Sequence, residues 1–284
     1  MKLFAIADLH LNHRVNREAL ETVTARPNDW LIVAGDVAEK PEHMVEAWRT
    51  LSKRFARIVW VPGNHELWTT KAEDEEPLKG AAKYHHLVEL CREFGVVTPE
   101  DPYPLFDGEG GPAVVAPLFL LYDYSFRPEE VPRERVLDWA AEGGVRCSDE
   151  SMLSPAPFPS REDWCENRVR TTLPRLESAS AQHDTVLVNH WPLREDTIWI
   201  PRIPRFTPWC GTRATEDWHR RFRARAVVSG HLHVRSRRWI DDVRFEEVSL
   251  GYPRHWKHEK GIDHYIREIL PGAAKPQRIP RFFR

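Results

Sequence analysis

Short apolar runs in this chain alternate with stretches in which apolar residues recur at helical spacing. The runs at residues 3–7, 30–34 and 58–61 have the length and composition of buried strands. Between them, residues 11–25 and a segment that opens at Pro41 place apolar side chains three or four positions apart, which predicts amphipathic helices. Strands and helices that alternate with short loops indicate parallel βαβ units.

The same alternation continues beyond residue 61. The charged run at residues 71–76 predicts a solvated loop or the first turn of the next helix, and residues 77–94 predict that helix. Further buried strands are predicted at residues 114–121, 185–188 and 226–229, and a hairpin at residues 238–248. Ser160 is the expected N-cap of another helix, with Asp163 reaching back to it.

The middle of the chain is less regular. We interpret residues 122–182 as an insertion of helices and loops on one face of the sheet. Residues 191–215 are rich in Pro, Trp and Arg, which predicts an ordered, lid-like loop. Both segments are expected to lie within a single α/β domain that spans residues 1–284.

Composition excludes several classes of protein without choosing a function. The 284 residues are 41% hydrophobic, enough for a sizeable core, and a formal net charge of −2 gives no signal for nucleic acid or a membrane surface. No apolar run approaches the roughly 18 residues that span a bilayer, and polar residues interrupt the N-terminal run too early for a signal peptide, so we expect a cytoplasmic protein. The four cysteines form no Cys-x-x-Cys pair, which argues against a zinc-thiolate site.

Five apolar runs end in side chains that can bind a metal ion. They are followed by Asp8-Leu9-His10, Gly35-Asp36, Gly63-Asn64-His65-Glu66, Asn189-His190 and Gly230-His231-Leu232-His233. Each segment alone also occurs in exposed turns or around structural histidines. Ligands of open α/β sheets bind beyond the carboxyl ends of the strands, however, so these five ends are expected to meet.

The type and number of these donors favour two metal ions. Carboxylate, amide and imidazole groups without a thiolate suit Mn, Fe, Zn or Ni. We count seven side chains as donors: Asp8, His10, Asp36, Asn64, His190, His231 and His233. Seven donors are too many for one tetrahedral ion and suit two ions that share a bridging carboxylate. Two metals about 3.5–4 Å apart are an arrangement for attack on phosphorus.

As an ordered set, the five segments resemble the calcineurin-like metallophosphoesterase superfamily. The resemblance implies a sandwich of two β-sheets flanked by helices, with the metals at the strand ends. It implies that the first metal is held by Asp8, His10, Asp36 and His233, that Asp36 bridges, and that the second metal is completed by Asn64, His190 and His231.

The resemblance also implies the catalytic residues. His65 would protonate the leaving oxygen or stabilise the transition state, and Glu66 would orient His65. Two positions depart from the family pattern. Glu39 stands where many members carry a second aspartate, and Ser249-Leu250-Gly251-Tyr252-Pro253 replaces an Asn-Pro-Gly-Ser segment, so the loop on the product side is expected to be rearranged.

The substrate side is less defined than the metal side. The loop after His190 carries three arginines, Arg194, Arg202 and Arg205, and three tryptophans, Trp191, Trp199 and Trp209. A substrate clamp would use Arg to hold a phosphate and Trp to stack on a base or ring. The alternative is a packed lid whose arginines face solvent.

The sequence therefore predicts a dinuclear metal-dependent phosphoesterase in which a metal-bridging hydroxide attacks phosphorus. The expected substrate is a small phosphorylated metabolite or nucleotide, either a phosphomonoester or a nucleotide-like phosphodiester. Mn is the expected metal, with Fe, Zn and Ni as alternatives. A catalytically silent scaffold of the same fold and a pyrophosphatase or nuclease variant remain the competing hypotheses, and the sequence does not give the oligomeric state.

Overall fold

The computed structural model describes residues 1–69 and 77–276, which form two β-sheets with helices packed outside them. The first half contains β1 (Leu3–Ile6), α1 (Arg14–Leu20), β2 (Arg26–Val33), α2 (Pro41–Leu51), β3 (Phe55–Trp60), α3 (Asn64–Leu67), α4 (Gly80–Glu93), β4 (Leu105–Phe106) and β5 (Ala113–Pro117). The second half contains α5 (Val136–Glu142), α6 (Asp149–Met152), α7 (Arg161–Ser180), β6 (Asp184–Val188), α8 (Trp218–Arg221), β7 (Ala224–Ser229), β8 (Ser236–Ile240), β9 (Val243–Glu247) and β10 (Arg267–Leu270).

Parallel strands form the centre of each sheet. The first sheet has the order β10-β1-β2-β3, in which β1, β2 and β3 are parallel and β10 is antiparallel. The second has the order β4-β5-β6-β7-β9-β8, with antiparallel strands at both edges. Two sheets flanked by helices are the predicted fold class, which is confirmed.

Alternate residues of one strand serve two different cores. In β2, Trp30 and Ile32 pack between the two sheets, whereas Leu31 and Val33 pack against the helices outside. Because both faces of the strand are covered, the sequence shows a continuous apolar run rather than an alternating one. The sheets therefore form a rigid base whose carboxyl ends can hold polar side chains in place.

Several local predictions are confirmed. The Ser160 hydroxyl accepts the Asp163 N–H at 3.1 Å and donates to the Asp163 carboxylate at 2.6 Å, which caps α7. Strands β8 and β9 form the expected hairpin, and both Asp241 and Asp242 have positive φ, as its tight turn requires. Helix α1 is shorter than expected, because residues 8–13 form the loop that carries Asp8 and His10.

The less regular segments are well packed where the structure describes them. Residues 122–182 contain α5, α6 and α7, and residues 191–215 contain short 3-10 turns. Their interpretation as an insertion and a lid within one domain stays a prediction. Residues 71–76, predicted as a solvated loop or the first turn of α4, lie outside the described residues. Across 1–69 and 77–276, every helix is too short or too polar to cross a membrane.

Candidate metal centre

The predicted strand ends meet at one edge of the sandwich. Hydrogen bonds from the Ala7 N–H to the Val248 carbonyl (3.1 Å) and from the Leu250 N–H to the Ala7 carbonyl (2.8 Å) join the two sheets there. Loops after β1, β2 and β3 of the first sheet and after β6 and β7 of the second therefore face one another. All seven predicted metal ligands lie on these loops.

Five of the seven predicted ligands have a left-handed backbone. The φ angles are 54° for Asp8, 42° for His10, 52° for Asp36, 74° for His231 and 53° for His233. Residues other than glycine avoid this region, at a cost of about 1–2 kcal/mol each, and such strain concentrates at functional sites. His231 and His233, two residues apart on this backbone, direct their side chains to two different places, beside Asn64 and Asp8.

The first cluster contains Asp8, His10, Asp36 and His233. One ligand atom from each lies within 4.8 Å of the others. His233 Nε2 is 3.0 Å from Asp8 Oδ1 and 3.0 Å from His10 Nε2, and His10 Nε2 is 3.8 Å from Asp36 Oδ2. All four residues are buried or nearly so, so these donors face one another rather than solvent.

The second cluster lies on the other side of Asp36. Asn64 Oδ1 is 3.2 Å from His190 Nε2 and 3.2 Å from His231 Nδ1, and His190 Nε2 is 3.6 Å from Asp36 Oδ1. Asp36 thus directs Oδ2 to the first cluster and Oδ1 to the second. This is the placement that a bridging carboxylate requires.

Hydrogen bonds outside the second cluster orient its donors. His190 Nδ1 donates to the Ala34 carbonyl at 2.9 Å, so its Nε2 lone pair faces Asn64. Asn64 Nδ2 donates to Asp149 Oδ1 at 3.0 Å, which turns the amide oxygen toward His190. The Asn64 oxygen and the His190 nitrogen, both acceptors, then face each other with no proton between them. A cation bound between them would remove this repulsion.

Electrostatics also fits a divalent cation in each cluster. Burial lowers the pKa of His190 to about 4 and lowers the pKa values of His10 and His231 well below the usual range, so these rings are neutral lone-pair donors at pH 7. Burial and the negative charge of Glu66 raise the pKa of Asp36 well above its usual range. A cation beside Asp36 would supply the missing counter-charge.

His65 lies beside the clusters rather than in them. Its Nε2 is 3.8 Å from Asp36 Oδ2, and its ring centroid is 3.7 Å from that of Trp68. The Nδ1 atom is 3.1 Å from Glu39 Oε1, and Nε2 is 3.4 Å from the Tyr252 hydroxyl. His65 is therefore held at both ring nitrogens.

The prediction that Glu66 orients His65 is wrong. Its carboxylate accepts backbone N–H groups from Asp36 at 3.0 Å, Val37 at 2.8 Å and Gly63 at 3.1 Å. Consecutive residues of a helix point in different directions, so Glu66 turns into the protein while His65 faces the clusters. The orienting carboxylate belongs to Glu39, and Glu66 instead ties the loop after β2 to the loop after β3.

Gly63 permits the close approach of those two loops. A Cβ at this position would lie 2.1 Å from Asp36 Oδ1 and 2.5 Å from the Asp36 nitrogen. The backbone φ of −99° is accessible to any residue, so contact with Asp36 and not the turn itself demands glycine.

Sequence reasoning missed two residues of the site. The Tyr252 ring lies 4.3 Å from that of His10 and 4.8 Å from that of His233, between centroids. The altered loop at residues 249–253 was the available signal for Tyr252. Asp149, which orients Asn64 and also accepts from Trp68 Nε1 at 2.6 Å, gave no signal in the sequence.

Two of the three arginines in the predicted clamp already have partners within the chain, and a substrate role for Arg194 and Arg205 stays a prediction. Arg194 makes a bidentate pair with Asp196 at 2.9 and 2.7 Å, and Arg205 donates to the Trp139 carbonyl and stacks over that indole. Arg202 is exposed, and its substrate role stays a prediction.

The three tryptophans of this loop also divide into two buried residues and one exposed residue. Trp191 and Trp209 are 0% and 1% exposed and cannot stack on a substrate, whereas Trp199 is 58% exposed. The packed-lid alternative fits these side chains better.

Comparisons with known proteins agree with this geometry. The family model described as calcineurin-like phosphoesterase matches residues 1–235. The chain is 47% identical to the [acyl-carrier-protein] phosphodiesterase PptH of Mycobacterium tuberculosis over 282 residues, which cover 99% of this chain and 86% of that protein.

The solved structure of this relative agrees with the sequence match. The crystal structure of phosphopantetheinyl hydrolase (PptH) from M. tuberculosis superposes with a TM-score of 0.88 at 47% identity and covers 98% of each chain. A dimetal phosphatase from Danio rerio has a TM-score of 0.42 at 13% identity, covering 88% of this chain and 87% of that one. On the family match and the 47% identity, this chain belongs to the calcineurin-like phosphoesterase family and is a metal-dependent phosphoric ester hydrolase.

Proposed function

We propose that this enzyme hydrolyses a phosphodiester through which a phosphopantetheinyl group is attached to an acyl carrier protein. The substrate class comes from the relative PptH, which is 47% identical and is described as an [acyl-carrier-protein] phosphodiesterase. The observation that supports the chemistry is the position of Asp36, whose two oxygens face two separate donor clusters. A nucleotide substrate has less support, because two of the three candidate stacking tryptophans are buried.

The donors divide between two metal ions in this proposal. The first ion is held by Asp8, His10, Asp36 and His233, and the second by Asp36, Asn64, His190 and His231. When bound, the two cations neutralise charge on the phosphoryl oxygens and activate the attacking water. Manganese is the metal we expect from the oxygen and imidazole donors.

His65 acts on the leaving group. The attacking water releases one proton to solvent as its oxygen bonds to phosphorus. The ester bond breaks at the same time, and the N–H at Nε2 of His65 gives its proton to the departing alkoxide. Glu39 accepts from Nδ1, which fixes the ring orientation, and the Tyr252 hydroxyl positions the ring from its Nε2 side. Burial of the ring against Trp68 keeps competing water away from this proton transfer.

Incubation with holo acyl carrier protein and Mn²⁺ tests the proposal. Mass spectrometry should show conversion to the apo protein together with free phosphopantetheine. Bis(p-nitrophenyl) phosphate and p-nitrophenyl phosphate serve as small diester and monoester probes. An intact holo protein after incubation with a metal-loaded enzyme that cleaves the diester probe would overturn the substrate assignment.

A further inference from the structure

A strip of positive charge follows Tyr252, whose ring packs against His10 and His233 of the first cluster. Arg254, Lys257 and Lys260 are exposed within seven residues, and Glu259 is the single carboxylate among them. We call these three cations the basic rim. Its local charge is opposite to the formal net charge of −2 for the whole chain.

The rim begins at the site itself. The Arg254 guanidinium carbon lies 5.1 Å from the centroid of the Tyr252 ring, and its Nε donates to His255 Nε2 at 3.2 Å. His255 Nδ1 is in turn 3.1 Å from Nδ1 of His233, a member of the first donor cluster. Two contacts therefore connect the rim to the metal centre.

The backbone of the rim is fixed although its charges face solvent. The buried Trp256 donates from Nε1 to Asn16 Oδ1 at 3.1 Å, and the Lys257 N–H donates to the Tyr265 hydroxyl at 2.7 Å. His258 Nε2 donates to the Pro253 carbonyl at 2.8 Å. Because these anchors hold the segment in place, ordering it on binding would cost little conformational entropy.

The rim charges are not neutralised by carboxylates of the described part of the chain. The partly exposed Arg92, by contrast, pairs with Asp101 at 2.8 Å. Within residues 1–69 and 77–276, no carboxylate oxygen lies within 4.0 Å of a charged nitrogen of the rim. These charges are therefore free to meet a negative surface of another molecule.

We propose that the basic rim docks an acidic surface of the carrier protein that bears the scissile phosphodiester. The inference rests on the proposed function, because the bond to be broken joins the phosphopantetheinyl group to that protein. When phosphorus sits in the metal centre, the carrier surface around the attachment point must lie against the border of the site. Complementary charge there steers encounter and sets orientation, which raises association rates about 10- to 1,000-fold.

Charge reversal at Lys257→Glu and Lys260→Glu tests the docking surface. A matched control reverses two exposed cations, Arg49→Glu and Lys53→Glu, near the amino end of β3, at the opposite edge of the sheet from the metal centre. Both doubles change the net charge equally. The measurements are kcat/KM on holo acyl carrier protein and on bis(p-nitrophenyl) phosphate, and the Kd for apo acyl carrier protein, which is not hydrolysed.

In the rim variant, the ratio of kcat/KM on the carrier protein to that on the small diester should fall at least about tenfold, mainly through KM. The Kd for the apo protein should rise by a similar factor. Both effects should shrink between about 50 mM and about 0.5 M salt, because exposed charges are screened. The control variant should keep the wild-type ratio and Kd.

Other outcomes overturn the inference. An unchanged ratio, an equal loss on both substrates, or the same effect in the control variant would each show that the rim does not dock the carrier protein. Absence of apo protein binding by the wild type would do the same. If the wild type binds the apo protein through the rim but releases no phosphopantetheine, the docking surface stands and the proposed function falls.

Discussion

The carboxylate of Glu39 lies 3.1 Å from Nδ1 of His65, and the neighbouring Glu66 does not contact that ring. Glu39 and Glu66 therefore have separate structural roles. Glu39 contacts the residue proposed to transfer the proton, and Glu66 binds the backbone that carries Asp36. Their substitutions should give different kinetic and metal-binding signatures.

Glu39→Gln should lower kcat about 10- to 100-fold with little change in KM, because His65 loses the charge that orients and stabilises its protonated ring. His65→Ala, which removes the acid itself, should cost about 100- to 10,000-fold. Metal content, measured by plasma mass spectrometry, should stay near two ions per chain in both variants. Full activity in either would contradict the proposed proton transfer.

Glu66→Gln should reduce stability and metal affinity instead. The amide offers one acceptor oxygen in place of two, so an N–H of Val37, Asp36 or Gly63 loses its partner at a fully buried position. We expect a loss of about 1–3 kcal/mol in the free energy of unfolding, measured with denaturant. Turnover per bound metal should remain close to that of the wild type. A large drop in kcat at full metal occupancy would instead return a catalytic role to Glu66.

Chelation should destabilise the fold, because the donor clusters are buried and self-repelling without cations. A metal that binds the folded state contributes about 2.7 kcal/mol when its free concentration is about 100 times Kd. The thermal midpoint should therefore fall after dialysis against a chelator and recover when Mn²⁺ is restored. Asp36→Ala should show neither the stabilisation by metal nor activity. A metal-dependent midpoint in that variant would reject the bridging role.

Tyr252→Phe separates the hydroxyl from the ring. The ring packs over His10 and His233 and is kept, whereas the contact with His65 Nε2 is lost. We expect kcat to fall about 3- to 10-fold, with unchanged metal content and an altered pH profile. Tyr252→Leu, which also removes the aromatic packing, should cost more. Identical kinetics for the Phe variant and the wild type would limit Tyr252 to packing.

The ionisation of Glu100, which is remote from the metal centre, should make the stability of the fold depend on pH. Burial raises the pKa of Glu100, but the Arg168 charge and a 2.7 Å hydrogen bond from the Tyr84 hydroxyl outweigh it and lower the pKa below 4.5. A carboxyl group whose pKa is lower in the folded state than in the unfolded state stabilises the fold at pH values above its unfolded-state pKa. This stabilisation is lost as the pH falls through the folded-state pKa.

Glu100→Gln should therefore cost about 1 kcal/mol at neutral pH and almost nothing near about pH 3. Urea unfolding at several pH values measures the difference. A difference that does not vary with pH would show that the charge on Glu100 is not what stabilises the contact.

The sequence allowed prediction of the sheets and the seven donors because each depends on short-range patterns. Buried strands appear as apolar runs, and the residues that follow them are placed by the strands themselves. Asp8 and His231 are far apart in the chain, but both follow parallel strands, so their meeting is a consequence of topology. The left-handed backbone at both residues was not predictable, because only the assembled site justifies its cost.

Side chains that depend on loop paths could not be predicted in this way. Glu66 is adjacent to His65 in sequence but points elsewhere, and the helix geometry needed to foresee this was hidden in a four-residue helix. Asp149, at the start of α6, and Tyr252, in the loop after β9, reach the site from parts of the chain distant from His65. Arg194 and Arg205 have the right chemistry for a phosphate, but their partners, Asp196 in the lid segment and Trp139 in α5, could only be identified from the folded chain.

The absence of a Cβ at Gly63 sets the distance between the two donor clusters. Asp36 can direct one oxygen to each cluster only because Gly63 leaves the space where a methyl group would collide with it, 2.1 Å away. Any side chain at residue 63 would push the loop after β3, and Asn64 with it, away from Asp36. The spacing of the two donor clusters is thus encoded at a position that contributes no donor.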